Sequence, residues 1–189
     1  MGTHKPLLPF LGKTLVDAVI ARARPQVRRL AIDVPRTMAA AYSSYPDVVP
    51  DLFDAQQGPV CGIVTGLEWL DGEWLATFPC DAPFLPVDLV AQLAAAGGPA
   101  IVKGMPVCGL WPKSALAGMR THVGKSVRGA LAALGGVEID MADAPDFAFF
   151  NVNEPEDLPA AVQLASRADE AVRDRRRGSG GASAGPRTS

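Results

Sequence analysis

Apolar positions along the chain recur in two rhythms, and the rhythm switches wherever Pro, Gly or Asp interrupts it. In Lys13–Arg24, the residues Leu15, Val16, Val19, Ile20 and Ala23 share one face at helical spacing, with Thr14 placed to cap the start and Pro25 to end it. Val27–Ile32 predicts a strand closed by Asp33-Val34-Pro35, with Arg28 and Arg29 near its exposed beginning. Ala-rich Thr37–Tyr42 predicts a short helix, and Asp47–Val49 a brief strand ended by Pro50-Asp51. Gln57-Gly58-Pro59 is turn chemistry, and Val60–Leu70 predicts a helix whose Gly62 and Gly66 pack closely against a neighbour.

Trp74–Phe78 is an apolar run too short for a helix, and Pro79 cuts it off, as in a buried strand of a parallel sheet. Asp81 follows at the strand's carboxyl end, with Pro83 and Pro86 stiffening the loop behind it. Ligands of open α/β sheets bind at that edge. A carboxylate there is placed to hold Mg2+ and, through it, a phosphate chain. The competing role for Asp81 is to cap the helix starting near Pro86, but it lies several residues too early, and Asp88 or the loop backbone serves that end as well.

Beyond this loop, Val87–Ala96 predicts a helix stopped by Gly97-Gly98. Pro99–Lys103 and Met105–Trp111, split by Gly104, predict a hairpin. Ser114–His122 and Ser126–Leu134 read as helices, Val137–Ile139 and Phe147–Phe150 as short strands, and Pro155–Ser166 as a last helix with acidic residues in its first turn. Strands alternating with helices predict an α/β fold with a mostly parallel sheet, to which the hairpin adds a small antiparallel portion. A domain over residues 1–168 is followed by a tail, 169–189, whose composition of Arg, Gly, Ser and Ala predicts disorder.

Composition narrows the function classes. The 189 residues are 48% hydrophobic and 20% charged with a net charge of −2, an ordinary globular balance that favours neither nucleic acid nor membrane as a partner. Apolar stretches are too short for a membrane span, and the start has no signal-peptide pattern, so a cytoplasmic location is expected. Cys61, Cys80 and Cys108 match neither a zinc spacing nor a disulfide framework, and Cys80 reads as small buried filler.

Five features fall at or beside loops that follow strands: Met1-Gly2-Thr3-His4-Lys5, Asp51, Gly58-Pro59-Val60-Cys61-Gly62, Pro79-Cys80-Asp81-Ala82-Pro83, and Asn151-Val152-Asn153-Glu154-Pro155-Glu156-Asp157-Leu158. Together and in this order they resemble the molybdenum cofactor guanylyltransferases, nucleotidyltransferases of Rossmann-like fold. The resemblance implies transfer of GMP from GTP to the molybdopterin cofactor, with Mg2+ as cofactor and pyrophosphate as second product. It further implies that Asp81 holds Mg2+, that Asp51 helps bind the nucleotide, and that Lys5 faces the phosphates as a point charge. Asn151 and Asn153 are placed to donate amide hydrogen bonds on the pterin side, with capping of the last helix an equal role for Asn153. Molybdoenzyme apoproteins and other cofactor-biosynthesis proteins are the implied macromolecular partners.

The chain also departs from that pattern. The family's Leu-Ala-Gly-Gly loop and the strand before it would precede Met1, and a start of translation upstream of Met1 is the expectation. His4 replaces the usual Asp before Lys5, and Asp33 stands where the family has Asn. Asp33 cannot donate an amide hydrogen bond, and near phosphates it repels them unless it is paired with a metal. Two rival readings are a cytidylyltransferase or other NTP transferase, against which Cys80-Asp81-Ala82-Pro83 argues, and a non-catalytic cofactor-docking relative, against which the retention of Lys5, Asp51 and Asp81 argues.

Overall fold

The computed structural model describes residues 5–53 and 57–167. Met1-Gly2-Thr3-His4 of the first motif, and the tail predicted over 169–189, lie outside the described residues.

A small ladder of β1 (Pro9–Phe10) and β2 (Lys13–Thr14) leads into α1 (Leu15–Ala23). Thr14 caps α1 as its spacing predicts: its hydroxyl accepts from the Asp17 N–H at 3.2 Å, and Asp17 accepts from the Thr14 N–H at 2.9 Å. This reciprocal box satisfies two donors that the helix itself leaves unbonded.

Next, β3 (Ile32–Val34) runs parallel to β4 (Val48–Pro50), with a 3-10 helix over Arg36–Tyr42 between them. The predicted strand Val27–Ile32 is therefore displaced, and Asp33 lies inside a strand rather than after one. The segment before Ile32 is committed elsewhere. The Gln26 amide donates to the carbonyls of Arg22 and Pro86 and accepts from the Val90 N–H, each at 2.9 Å. Arg29 stacks on Trp69 at 4.6 Å and pairs with Asp71 at 2.6 Å.

The larger sheet has the order β5 (Trp74–Thr77), β7 (Met105–Pro112), β6 (Ala100–Val102), β8 (Val137–Ile139). Only β6 and β8 are parallel in it; β7 pairs antiparallel with both its neighbours. The antiparallel portion is thus larger than the sequence suggests, and Trp74–Thr77 is an edge strand with Trp74 exposed rather than a buried parallel one. Gly104 turns the hairpin at a φ of 84°, which a side-chain-bearing residue rarely adopts.

Helices cover both faces of this sheet. Alternation along β6 and β7 sends Ile101 and Trp111 into a core with α2 (Val60–Trp69), α4 (Leu116–Arg120) and α5 (Val127–Ala133). Ala100, Val102, Cys108 and Leu110 face the other way, onto α3 (Leu89–Ala94) and Val19 of α1. Each fully buried Leu, Ile or Val in these layers contributes about 1.5–3 kcal/mol by leaving water. Lys113 fastens the end of α2 by donating to the carbonyls of Leu67 and Leu70.

The predicted strand Phe147–Phe150 is instead a run of turns, closed by Ala148 N–H to Pro145 O at 2.8 Å and Phe150 N–H to Phe147 O at 3.0 Å. Its aromatic content serves packing: Phe147 meets Phe84 edge-on at 5.7 Å. Pro155–Asp157 and 158–167 then form the last helical segment.

Candidate active site

Among the described residues β3 and β5 each pair on one side only, and both line a cavity of about 1110 Å³. Its walls come from α1, from residues 26–33, from α2 and from the loop that follows β5. Two small residues of α2, Gly62 and Gly66, allow this close approach. A β-carbon at Gly66 would meet Leu75 Cδ2 at 2.9 Å, and one at Gly62 would meet Asp33 Oδ2 at 2.7 Å.

Asp33, Asp51 and Asp81 all line this cavity. The parallel register sets Asp33 opposite Val49, and the Asp51 N–H donates to Val34 O at 2.8 Å just past the ladder. Strand alternation therefore puts Asp33 and Asp51 on one face. Asp51 is 8% exposed, and its Oδ1 accepts from the Thr65 hydroxyl at 3.0 Å and from the Phe53 N–H at 3.1 Å. Thr65 in turn accepts from the Leu52 N–H at 3.1 Å, and Arg36 Nε donates to the Asp51 carbonyl at 2.9 Å. Asp33 is exposed to the cavity, yet the walls strip it of water and, with the charge of Asp51, push its carboxyl up to about 7. Neither carboxylate has an ion-pair partner among the described residues.

Asp81 sits beyond the end of β5, where Lys5 Nζ stands 4.0 Å from its Oδ2. Partial burial raises its carboxyl, and Lys5 opposes that rise. Cys80 is exposed rather than buried filler, because it lies in the cavity wall between Pro79 and Asp81. Desolvation, helped by Asp81, pushes its thiol up to about 11, so it stays protonated and is no ready nucleophile.

The asparagine segment touches this site through the backbone: the Val152 N–H donates to Asp81 O at 2.9 Å. Neither Asn151 nor Asn153 lines the cavity. Asn151 lies against Met105 and buries its Oδ1 without a hydrogen-bond partner. Asn153 is exposed, and the helix cap it was expected to supply comes from Glu154 and Asp157, the latter accepting from the Asn153 N–H at 2.7 Å.

Asp33, Asp51 and Asp81 thus meet around one cavity, Lys5 stands beside Asp81 outside its lining, and the two asparagines stand outside it as well. A cation beside a half-open carboxylate suits a charged phosphate ligand, and the two carboxylates on the β3–β4 face suit hydrogen-bond donors. Thr65 and Arg36 are the members that sequence inspection passes over. The signal for Thr65 was a single hydroxyl among the buried apolar residues of α2; nothing local marks Arg36.

Comparison with known proteins agrees with this architecture. Residues 1–137 match the MobA-like NTP transferase domain. A molybdenum cofactor guanylyltransferase of Rhodopseudomonas palustris is 32% identical over 196 residues, covering 88% of each chain. One of Cupriavidus necator is 43% identical over 99 residues, covering 50% of this chain and 48% of that one. Among solved structures, molybdopterin-guanine dinucleotide biosynthesis protein A from Archaeoglobus fulgidus aligns with a TM-score of 0.72 at 20% identity, over 88% of this chain and 92% of that one. A 2-C-methyl-D-erythritol 4-phosphate cytidylyltransferase from Thermus thermophilus gives 0.67 at 16% identity, over 86% and 94%. At these identities the solved structures establish the Rossmann-like nucleotidyltransferase fold, and no more.

Proposed function

This chain belongs to the MobA-like NTP transferase family and is a nucleotidyltransferase, and on that premise we propose that it transfers GMP from GTP to the molybdopterin cofactor, releasing pyrophosphate. The observation that carries the reading is the convergence of Asp33, Asp51 and Asp81 on one cavity with Lys5 beside Asp81. In this reaction a terminal phosphate oxygen of the pterin attacks the α-phosphorus of GTP, and the bond to the β-phosphate oxygen breaks. No covalent protein intermediate is needed, so the protein's task is to bring two anions together and offset their charge. Lys5 faces the triphosphate as a point charge. Asp51, held by Thr65 and Phe53, binds the nucleoside part in a fixed orientation.

Among the described residues no three His, Cys, Asp or Glu side chains converge as a metal cage. A single half-open carboxylate such as Asp81 instead fits Mg2+, which is commonly held by one or two carboxylates with phosphate oxygens and water completing its shell. When bound, Mg2+ supplies charge neutralisation between the phosphates. No described helix is long and apolar enough to cross a membrane.

The test is turnover with α-labelled GTP or CTP, molybdopterin cofactor and Mg2+, read as label joined to the pterin and as pyrophosphate released. Transfer from GTP well above that from CTP is expected. Preferential transfer from CTP, or pyrophosphate release that ignores the pterin, overturns the reading.

A further inference from the structure

We propose that Phe84 is a positioning residue for nucleotidyl transfer, its ring fixing the spacing between the Lys5 ammonium and the Asp81 carboxylate. The inference rests on the guanylyl-transfer reading above, in which Lys5 faces the triphosphate and Asp81 fits the metal, and it adds the residue that sets the distance between them.

Phe84 follows Asp81 by three residues and is 6% exposed. Its neighbours Ala82 and Leu85 belong to the core between β6, β7 and α3, whereas Phe84 turns into a second core with Phe10, Leu15, Val152 and Ala161. There its ring meets Phe10 at 6.1 Å and Phe147 at 5.7 Å, both edge-on. Rings favour this orientation because the positive edge of one meets the negative face of the other. These two partners come from the two other segments that meet at Asp81. Phe10 ends the stretch that starts at Lys5, and the Leu8 N–H, donating to Lys5 O at 3.0 Å, closes that stretch into a turn. Phe147 opens the segment that ends at buried Val152, whose N–H donates to the Asp81 carbonyl. Each of these segments therefore touches the loop after β5 twice, once at Asp81 and once at Phe84.

The second contact matters because the polar one cannot hold itself. An ion pair at 4.0 Å between side chains open to water is screened, and it gains too little to fix two flexible groups. Its spacing has to be imposed from the backbone, and Phe10 against Phe84 is the buried contact that joins the two backbones beside it. Pro83 lies between Phe84 and Asp81 with its φ locked by the ring, so a shift at Phe84 is passed on to Asp81 rather than absorbed. A misplacement of about 1 Å at a group that orients the reacting atoms lowers turnover by about a hundredfold.

The experiment is equilibrium titration with guanosine and with GTP and Mg2+, alongside melting temperatures, for the full chain, Phe84→Leu, Lys5→Ala and the double variant. Phe84→Leu keeps the core apolar and removes both edge-on contacts, so it should melt somewhat lower. It should weaken GTP by about tenfold, short of the hundredfold of a full 1 Å misplacement, with guanosine affinity at the parent value. In the Lys5→Ala background the same substitution should add little, because the spacing it disturbs has already lost one end. Equal losses for GTP and guanosine, or full additivity with Lys5→Ala, would make Phe84 a core residue only and overturn the proposal. Where Phe84→Leu melts too low to titrate, Phe147→Leu decides, since it removes one contact from the half-buried rim of the same core. It should weaken GTP more than guanosine, and parent-like GTP affinity in it overturns the proposal. Weak GTP binding by Lys5→Ala beside parent-like binding by Phe84→Leu overturns the role of Phe84 and leaves guanylyl transfer standing. Parent-like GTP binding by Lys5→Ala overturns the phosphate reading of Lys5, and the role of Phe84 falls with it.

Discussion

The Lys5 ammonium stands 4.0 Å from Asp81 Oδ2, while the main-chain oxygen of the same aspartate accepts the Val152 N–H at 2.9 Å. Asp81 is therefore a junction between the segment around Lys5, the loop after β5 and the asparagine segment. With side chains 43% and 21% exposed, an ion pair at this distance adds little to stability, about 0–1 kcal/mol. A weak pair left half open to a cavity is better suited to exchanging its partner for a charged ligand.

It follows that Asp81 matters to turnover far more than to folding. Asp81→Asn is nearly isosteric and keeps the backbone contact to Val152, so its melting temperature should match the parent's. Mg2+-dependent transfer should fall by about a hundredfold or more, the scale of losing an electrostatic group in a transition state. Lys5→Ala should weaken GTP more than guanosine, since its proposed contact is with phosphate. Transfer by Asp81→Asn near the parent rate would remove Asp81 from the metal site.

Much of this arrangement is legible in the sequence where the cause is local. Thr14 with Asp17 writes its own cap, Gly104 its turn, and the apolar spacing of Val60–Trp69 its helix. What escapes are pairings decided at long range. Phe147–Phe150 has the composition of a strand, but its rings meet Phe84 and its backbone closes into turns. Val27–Ala31 looks like a strand too, yet Gln26 and Arg29 tie their neighbourhood to α3 and to Trp69. Asp33 and Asp51 are visible as carboxylates near strand ends. That they share a face depends on a parallel register no local pattern encodes.

Thr65 links stability to the site. Its hydroxyl donates to buried Asp51 and accepts from Leu52, so Thr65→Val takes the Leu52 N–H's acceptor away and leaves Asp51 Oδ1 with the Phe53 N–H alone. A loss of about 1–3 kcal/mol is expected, with weaker GTP binding because Asp51 loses its orientation. Thr65→Ser keeps the hydroxyl and should restore most of both. Denaturant melts and nucleotide titration check the pair; equal behaviour of the Val and Ser variants would mean that the hydroxyl holds nothing.

Gly62 and Gly66 separate the site from the core within a single helix. Alanine is favoured over glycine in a helix interior by about 0.5–1 kcal/mol, so both substitutions begin with a gain. At Gly66 the new methyl would sit 2.9 Å from Leu75 Cδ2 inside the packed layer, and overpacking of that kind costs about 1–3 kcal/mol. Gly66→Ala should therefore melt lower, with little change in GTP affinity. At Gly62 the methyl would sit 2.7 Å from Asp33 Oδ2, the free end of a side chain open to the cavity. That carboxyl can swing aside without disturbing the core, so Gly62→Ala should melt at or above the parent temperature. It should nevertheless bind GTP more weakly, because the displaced carboxyl no longer stands beside Asp51. Matched melts and GTP titrations on the two variants decide the matter. Parent-like GTP affinity in Gly62→Ala would mean that the position of Asp33 against α2 has no bearing on nucleotide binding.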